Sequence, residues 1–183
     1  MTTNHKEILD FWFVATPAGK RFSADSVLDS AIRERFQTAW LEGREGGFCE
    51  WESTPDGALA LVILLDQFPR NMFRGTGEAF SSDGVALTVA KRAVEREFDL
   101  AIPEERRSFF YMPFMHSENL ADQDTCIRLL RERMTDAADS LRYAERHREA
   151  IARFGRFPAR NRALGRIDTP EEAAFLVTNP SGF

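Results

Sequence analysis

Apolar residues recur at three- and four-residue spacing along most of the chain. In "SVLDSAIRERFQTAW" the positions Leu28, Ile32, Phe36, Ala39 and Trp40 fall on one stripe, which predicts an amphipathic helix. "ALALVILL", residues 58 to 65, has no polar face, and Ala and Leu outnumber the β-branched Val62 and Ile63. That run predicts a fully buried helix rather than a strand. Thr54 and Pro55 supply its capping side chain and first-turn proline.

Further along, "SSDGVALTVAKRAVEREFDL" aligns Leu87, Ala90, Val94 and Phe98. "PEERRSFFYM" predicts a shorter helix opened by Pro103 and closed before Pro113. "ENLADQDTCIRLLRERM" carries Leu120, Ile127, Leu130 and Met134, and the next segment carries Ala137, Leu141, Ala144 and Ile151. "TPEEAAFLV" has Thr169 as N-cap, Pro170 at the first position and Glu172 to close a capping box. No segment alternates as a strand does. The expected fold is all-α: about eight helices stacked as antiparallel pairs, in a bundle or a short superhelix, forming one domain over residues 1–183. No repeat recurs at the 34-residue spacing of tetratricopeptide units, so any likeness to them is geometric.

Composition changes this picture little. Sixteen Phe stand against two Tyr, so the aromatic residues, with Trp12, Trp40 and Trp51, are expected to fill the core. Cys49 and Cys126 lack metal-ligand spacing, and they read as free thiols in a reducing compartment. No secretory leader opens the chain and no apolar run reaches the roughly 20 residues of a membrane span, so a cytoplasmic protein is expected. Charge is uneven. Residues 142 to 166 hold eight arginines against Glu145 and Glu149, a local +6 that leaves −11 elsewhere in a chain of net −5. Such a run can bind nucleic acid, but the acidic remainder favours pairing within the protein.

The candidate chemistry gathers at two similar strings. "DQFPRNMFRGT" places Asp66, Gln67, Arg70 and Asn71 around Pro69, where the buried helix is expected to stop. "GRFPARNRALGR" repeats Phe-Pro and Arg-Asn as Arg160 and Asn161, with Arg156 and Arg166 beside them. One reading is a buried ion-pair and amide network that fastens helix ends, since buried charges are usually paired. The other is a surplus of fork-shaped donors that grips a carboxylate or phosphate. That second reading requires the two corners to meet and pool their guanidinium groups.

A third string, "YMPFMHSEN", puts His116, Ser117 and Glu118 in a turn where Ser117 can cap the next helix. His116 and Glu118 are weak candidates for acid–base chemistry, and a hydrolytic Ser-His-Glu set is disfavoured because neighbours in one turn rarely reach each other. His147 lies at the edge of its helix's apolar stripe, an interfacial position. These histidines show no diagnostic metal spacing, and "GTGEAF" lacks the context of a nucleotide loop. No metal and no cofactor is therefore expected.

The strings "ILDFWF", "LLDQFPRNMFRGT", "FFYMPFMHSE" and "FGRFPARNRALGR" with "TPEEAAFLV" together resemble the bacterial domain-of-unknown-function family 924 over nearly the whole chain. The resemblance implies a tetratricopeptide-like helical fold in a cytoplasmic bacterial protein, and no established activity. Its pattern falls on Asp66, Gln67, Arg70, Asn71, His116, Ser117, Glu118, Arg160, Asn161, Gly165 and Arg166. The family commonly has a histidine where this chain has Ala159, which argues for binding over catalysis. The leading expectation is a cleft of these residues with His147 that binds an anionic small molecule. A protein-interaction module with a protein partner and a small hydrolase are the rivals; nucleic acid and membrane are not expected partners.

Overall fold

The computed structural model describes residues 3–179, and among them the regular structure is entirely helical. Backbone proximity divides the chain after Pro113 into two compact units, with the short segment Gly75–Gly77 grouped with the second. The sequence leads one to expect a single domain; the backbone gathers into these two units.

The first unit is organised by its most apolar segment. Thr54 accepts from the Gly57 amide and Pro55 opens the helix, so the N-terminus is capped as the sequence predicts. The unit contains α1 (His5–Leu9), α2 (Ser26–Arg44), α3 (Pro55–Val62), α4 (Phe68–Met72) and α5 (Asp83–Glu95). Helix α3 packs on α1 and α5, while α4 packs on α2. All five predicted stripe residues of α2 are buried. Around them Phe36 meets Phe68 at 4.9 Å and Phe11 at 5.1 Å, and Trp12 meets Phe68 at 5.6 Å. Phe11, Phe36 and Phe68 thus build the core with the three tryptophans, while Phe22 stays exposed.

The expected stop at Pro69 does not occur. After α3 the helix widens into a π turn over Ile63–Gln67, with the Phe68 amide bonded five residues back to Ile63, and continues as α4. Pro69 has no amide hydrogen, so it cannot donate to the Leu65 carbonyl four residues earlier. Ser82 donates its hydroxyl to that carbonyl at 2.6 Å, and Trp40 Nε1 donates to the Ser82 oxygen at 2.9 Å. A relay from α2 through the start of α5 to the π turn thereby makes the proline tolerable.

In α5 the buried face is Ala86, Val89, Ala90 and Ala93, rotated from the predicted line. Helix α6 (Glu104–Met115) also overruns its predicted end, with Pro113 inside its last turn. The extension has a physical cause in the residues that follow. Gln123 Nε2 donates to the carbonyls of Phe114, Met115 and Ser117 at 3.4, 2.6 and 2.7 Å, and so caps the helix end.

In the second unit α7 (Leu120–Arg133) pairs with α8 (Ala138–Phe154) across a short joint. The α7 N-cap is Asn119, which accepts from the Ala121 amide, and not Ser117 as expected. Helix α8 ends on Gly155 at φ +69°, the left-handed geometry that glycine adopts without penalty. Helix α9 (Pro170–Thr178) has the predicted capping box between Thr169 and Glu172. Cys126 is buried and Cys49 exposed, both free, and burial pushes the Cys126 thiol up to about 12. Among the described residues, no helix is long and apolar enough to cross a membrane.

Ser82→Ala should strand both the Trp40 indole hydrogen and the Leu65 carbonyl. A loss of about 2–4 kcal/mol in urea denaturation is expected; a loss below about 0.5 kcal/mol would show that the relay is not holding the turn.

Candidate functional site

The first corner is built around Asp66, which has 0% exposure at the centre of the π turn. It does not lie in a final helical turn, because the helix continues past it. Gln67 donates to Asp66 Oδ2 at 2.6 Å. Arg70, one turn further on, places Nη1 3.3 Å from Asp66 Oδ1 and forks onto Asp83 at 2.9 and 3.0 Å. Burial alone would lower the Arg70 pKa, but Asp66 and Asp83 outweigh it and hold the guanidinium above its ordinary value. Asp83 is itself placed in the first turn of α5, where the helix dipole favours a carboxylate. Asn71 donates to Asp29 at 2.8 Å, and Arg74 binds the same carboxylate at 2.9 and 3.0 Å. The acids Asp29 and Asp83, which complete this corner, lie outside the predicted set.

The second unit brings together the other corner and the His-Ser-Glu turn. Glu118 accepts both from Arg166, at 3.0 and 3.1 Å, and from the Phe157 amide at 3.0 Å. Arg160 donates to the His116 carbonyl at 3.0 Å and lies 4.5 Å above the Phe157 ring. His147 meets the edge of Phe157 at 5.5 Å and the His116 ring at 6.2 Å. Its Nδ1 is 2.8 Å from the Tyr143 carbonyl, so the neutral ring carries its hydrogen there and its lone pair on Nε2. Asn161 donates to Asp168 at 2.8 Å, while its Oδ1 is buried without a hydrogen-bond partner.

Ser117 gives its hydroxyl hydrogen to Asp122 at 2.7 Å, not to an imidazole, and Glu118 is held by Arg166. The hydrolytic set is therefore not assembled. Among the described residues, no cluster of three or more His, Cys, Asp or Glu is positioned to hold a metal ion.

The arginine-rich segment is largely internal chemistry. Arg142, Arg148, Arg153 and Arg156 bind Asp139, Asp124, Glu171 and Glu172. The Arg156 fork, at 2.7 and 2.8 Å, depresses Glu172 to about 2 although that side chain is 2% exposed. Phe157 and the partner acids were not predicted as site residues. A phenylalanine reads as core, and nothing local says which arginine or asparagine an acid will bind.

Fold and site define the class: an all-helical protein whose polar residues converge on two Phe-Pro corners, with guanidinium, amide and carboxylate groups interlocked. The chain belongs to the bacterial protein family of unknown function DUF924, whose model matches residues 8–180. It is similar to the solved structure of the protein of unknown function ATU0120 from Agrobacterium tumefaciens. The two share 40% identity over 94% of this chain and 96% of that one, at a TM-score of 0.88. A comparison with curated proteins finds no match. The function of the family is not established.

Two outcomes follow. Arg70→Ala strands the buried Asp66 carboxylate, and a loss of about 3–5 kcal/mol is expected in denaturant unfolding; a change near zero would mean Asp66 is satisfied without it. For Glu172 the folded-state pKa is depressed, so its contribution is present above about pH 4.5 and drains as pH falls toward about 2. Glu172→Gln should lower Tm at pH 6 and converge with wild type near pH 2; parallel Tm curves across that window would remove Glu172 as the cause.

Proposed function

We propose that this is a small-molecule-binding protein of tetratricopeptide-like build, cytoplasmic in its bacterium. Its second unit holds an anionic ligand, a phosphate or carboxylate, at His116, His147 and Arg160. The observation that carries this reading is the gathering of those three cation-capable side chains beside Phe157: Arg160 and His147 on its ring, and His116 against His147. They come from the turn after α6, from α8 and from the 3-10 turn Pro158–Arg160, so separate parts of the unit aim at one place. The nearby acids have partners of their own: Glu118 binds Arg166, Glu172 binds Arg156 and Asp168 binds Asn161.

The grip is narrower than the sequence suggested. Arg70 and Arg166 are engaged with carboxylates and act as fasteners of the corners, with Asp66, Gln67, Asn71 and Asn161 beside them. Ser117 and Glu118 fix the turn that presents His116. Imidazolium and guanidinium groups together bind oxyanions through charge-assisted hydrogen bonds, which are roughly twice as strong as neutral ones, so His147 takes up a proton on Nε2 when the anion binds.

A protein partner is the second reading. It is favoured by the concavity of about 420 Å³ along α8 and α9, where Arg153 lies 4.7 Å from the Phe154 ring and Phe175 packs on Phe154 at 5.1 Å. Calorimetric titration with inorganic phosphate and a panel of small carboxylates, at low and moderate salt, separates the two. The small-molecule reading expects one-to-one binding of at least one anion, weakened about tenfold or more in His147→Ala. Silence across the panel sinks it, as does affinity indifferent to both His147→Ala and Arg160→Gln.

A further inference from the structure

A different cation cluster lies within the first unit, and its two arginines, Arg21 and Arg106, belong to none of the family strings. Arg21 follows the 3-10 turn Ala18–Lys20 and donates to the carbonyls of Trp12, Phe13 and Thr16 at 2.9, 3.2 and 3.2 Å. These bonds cap the π-helical end of the Asp10–Ala15 segment and fix the guanidinium in place. Its Cζ lies 5.2 Å from the centroid of Phe13, and Arg106 Cζ lies 4.6 Å from the same ring. One phenylalanine thus carries two like charges.

The arrangement is electrostatically adverse as it stands. Arg35, Arg44, Arg70, Arg74 and Arg92 in this unit each reach a carboxylate. Among the described residues, neither Arg21 nor Arg106 has an acid within ion-pair distance, although Glu104 and Glu105 share the first turn of α6 with Arg106. That helix start adds its own positive potential. Burial first, and then Arg106, lower the Arg21 pKa, the direction expected beside a like charge. In a chain of net −5, two adjacent guanidinium groups without a counter-carboxylate are a deficit of negative charge at one spot.

Beside them is an exposed flat ring. Phe22 is 67% exposed and stacks on the buried Phe109 at 6.2 Å and 15°, and Phe109 meets Phe13 edge-on at 5.2 Å. A large aromatic ring held open to water next to a cation pair matches a ligand with both an aryl and an anionic part.

We infer that Arg21 and Arg106 hold the anionic group of a small aromatic ligand, an aryl phosphate or carboxylate, whose ring lies against Phe22. The anion would take Arg21 through Nη1, the nitrogen not given to backbone carbonyls, together with the Arg106 guanidinium, and offset their mutual repulsion. This site is independent of the His116, His147 and Arg160 cluster.

The test is calorimetric titration at low salt with phenyl phosphate, inorganic phosphate and phenol. Arg106 is the residue to change, because it rests on the Phe13 ring while Arg21 holds backbone. Circular dichroism confirms that each variant is folded. Phenyl phosphate is expected to bind more tightly than inorganic phosphate, with phenol silent. Arg106→Ala should weaken phenyl phosphate about tenfold or more, Arg106→Lys should recover part of that, and Phe22→Ala should abolish the preference for the aryl compound. Because His147→Ala leaves this site intact, phenyl phosphate binding should survive it. No binding by wild type, equal affinity in Arg106→Ala, or an aryl preference that survives Phe22→Ala would each overturn the inference.

Discussion

A carboxylate with no exposure to water, Asp66, sits inside the most apolar helix of the chain, and the polar groups of the first unit are arranged around that fact. An isolated buried charge costs far more than a small protein's whole stability, so the group must be matched or neutralised. Arg70 supplies the match one turn away, Asp83 braces Arg70 through a two-point contact, and Gln67 donates to the carboxylate. The π turn enables this geometry by widening the helix just before a proline that interrupts the backbone ladder. Ser82 and Trp40 then attend to the carbonyl that Pro69 leaves behind.

The second corner meets a related problem with the same residue types. In both, an asparagine after the arginine donates to an aspartate, Asn71 to Asp29 and Asn161 to Asp168, at 2.8 Å each. In both, a carboxylate takes a guanidinium, with Glu118 additionally accepting from the Phe157 amide. The repeated Phe-Pro and Arg-Asn spelling therefore reflects a repeated physical requirement. A phenylalanine anchors the turn in apolar surroundings while amide and guanidinium groups bind acids from neighbouring segments. One difference separates the corners. Arg160 lies on an aromatic ring that His147 also meets, whereas Arg70 lies between two carboxylates.

Much of the helical layout was legible because it rests on local rules. The stripe of α2, the Thr54-Pro55 start of α3 and the capping box at Thr169 depend on residues within one or two turns of each other. Elsewhere a distant side chain changes the local outcome. Proline at 69 reads as a stop until Ser82 is known to serve the Leu65 carbonyl, and proline at 113 until Gln123 is known to cap the helix end just beyond it. Ser117 reads as a cap until Asp122 takes its hydroxyl and Asn119 takes the cap position. For the site, the motif arginines were legible but their partners were not: Asp29 and Asp83 stand 42 and 13 residues from the groups they bind. Arg21 and Arg106 carry no motif at all, and only their shared contact with Phe13 distinguishes them.

Pairing is thus the property that separates structural from functional arginine in this molecule. A guanidinium forked onto an acid of its own chain already has its enthalpic partner, and a ligand would have to displace a covalently tethered carboxylate at high effective concentration. Arg70, Arg156 and Arg166 meet that description, which makes them poor grips for an exogenous anion whatever their sequence pattern suggests. Guanidinium groups resting on aromatic rings are different, because cation–π attraction of about 0.5–2 kcal/mol leaves the fork edges oriented and available to a planar oxyanion. Arg106 meets that second description on Phe13, Arg21 shares the ring with Nη1 left over from its backbone bonds, and a bound oxyanion there would gain attraction from both cations while displacing no acid.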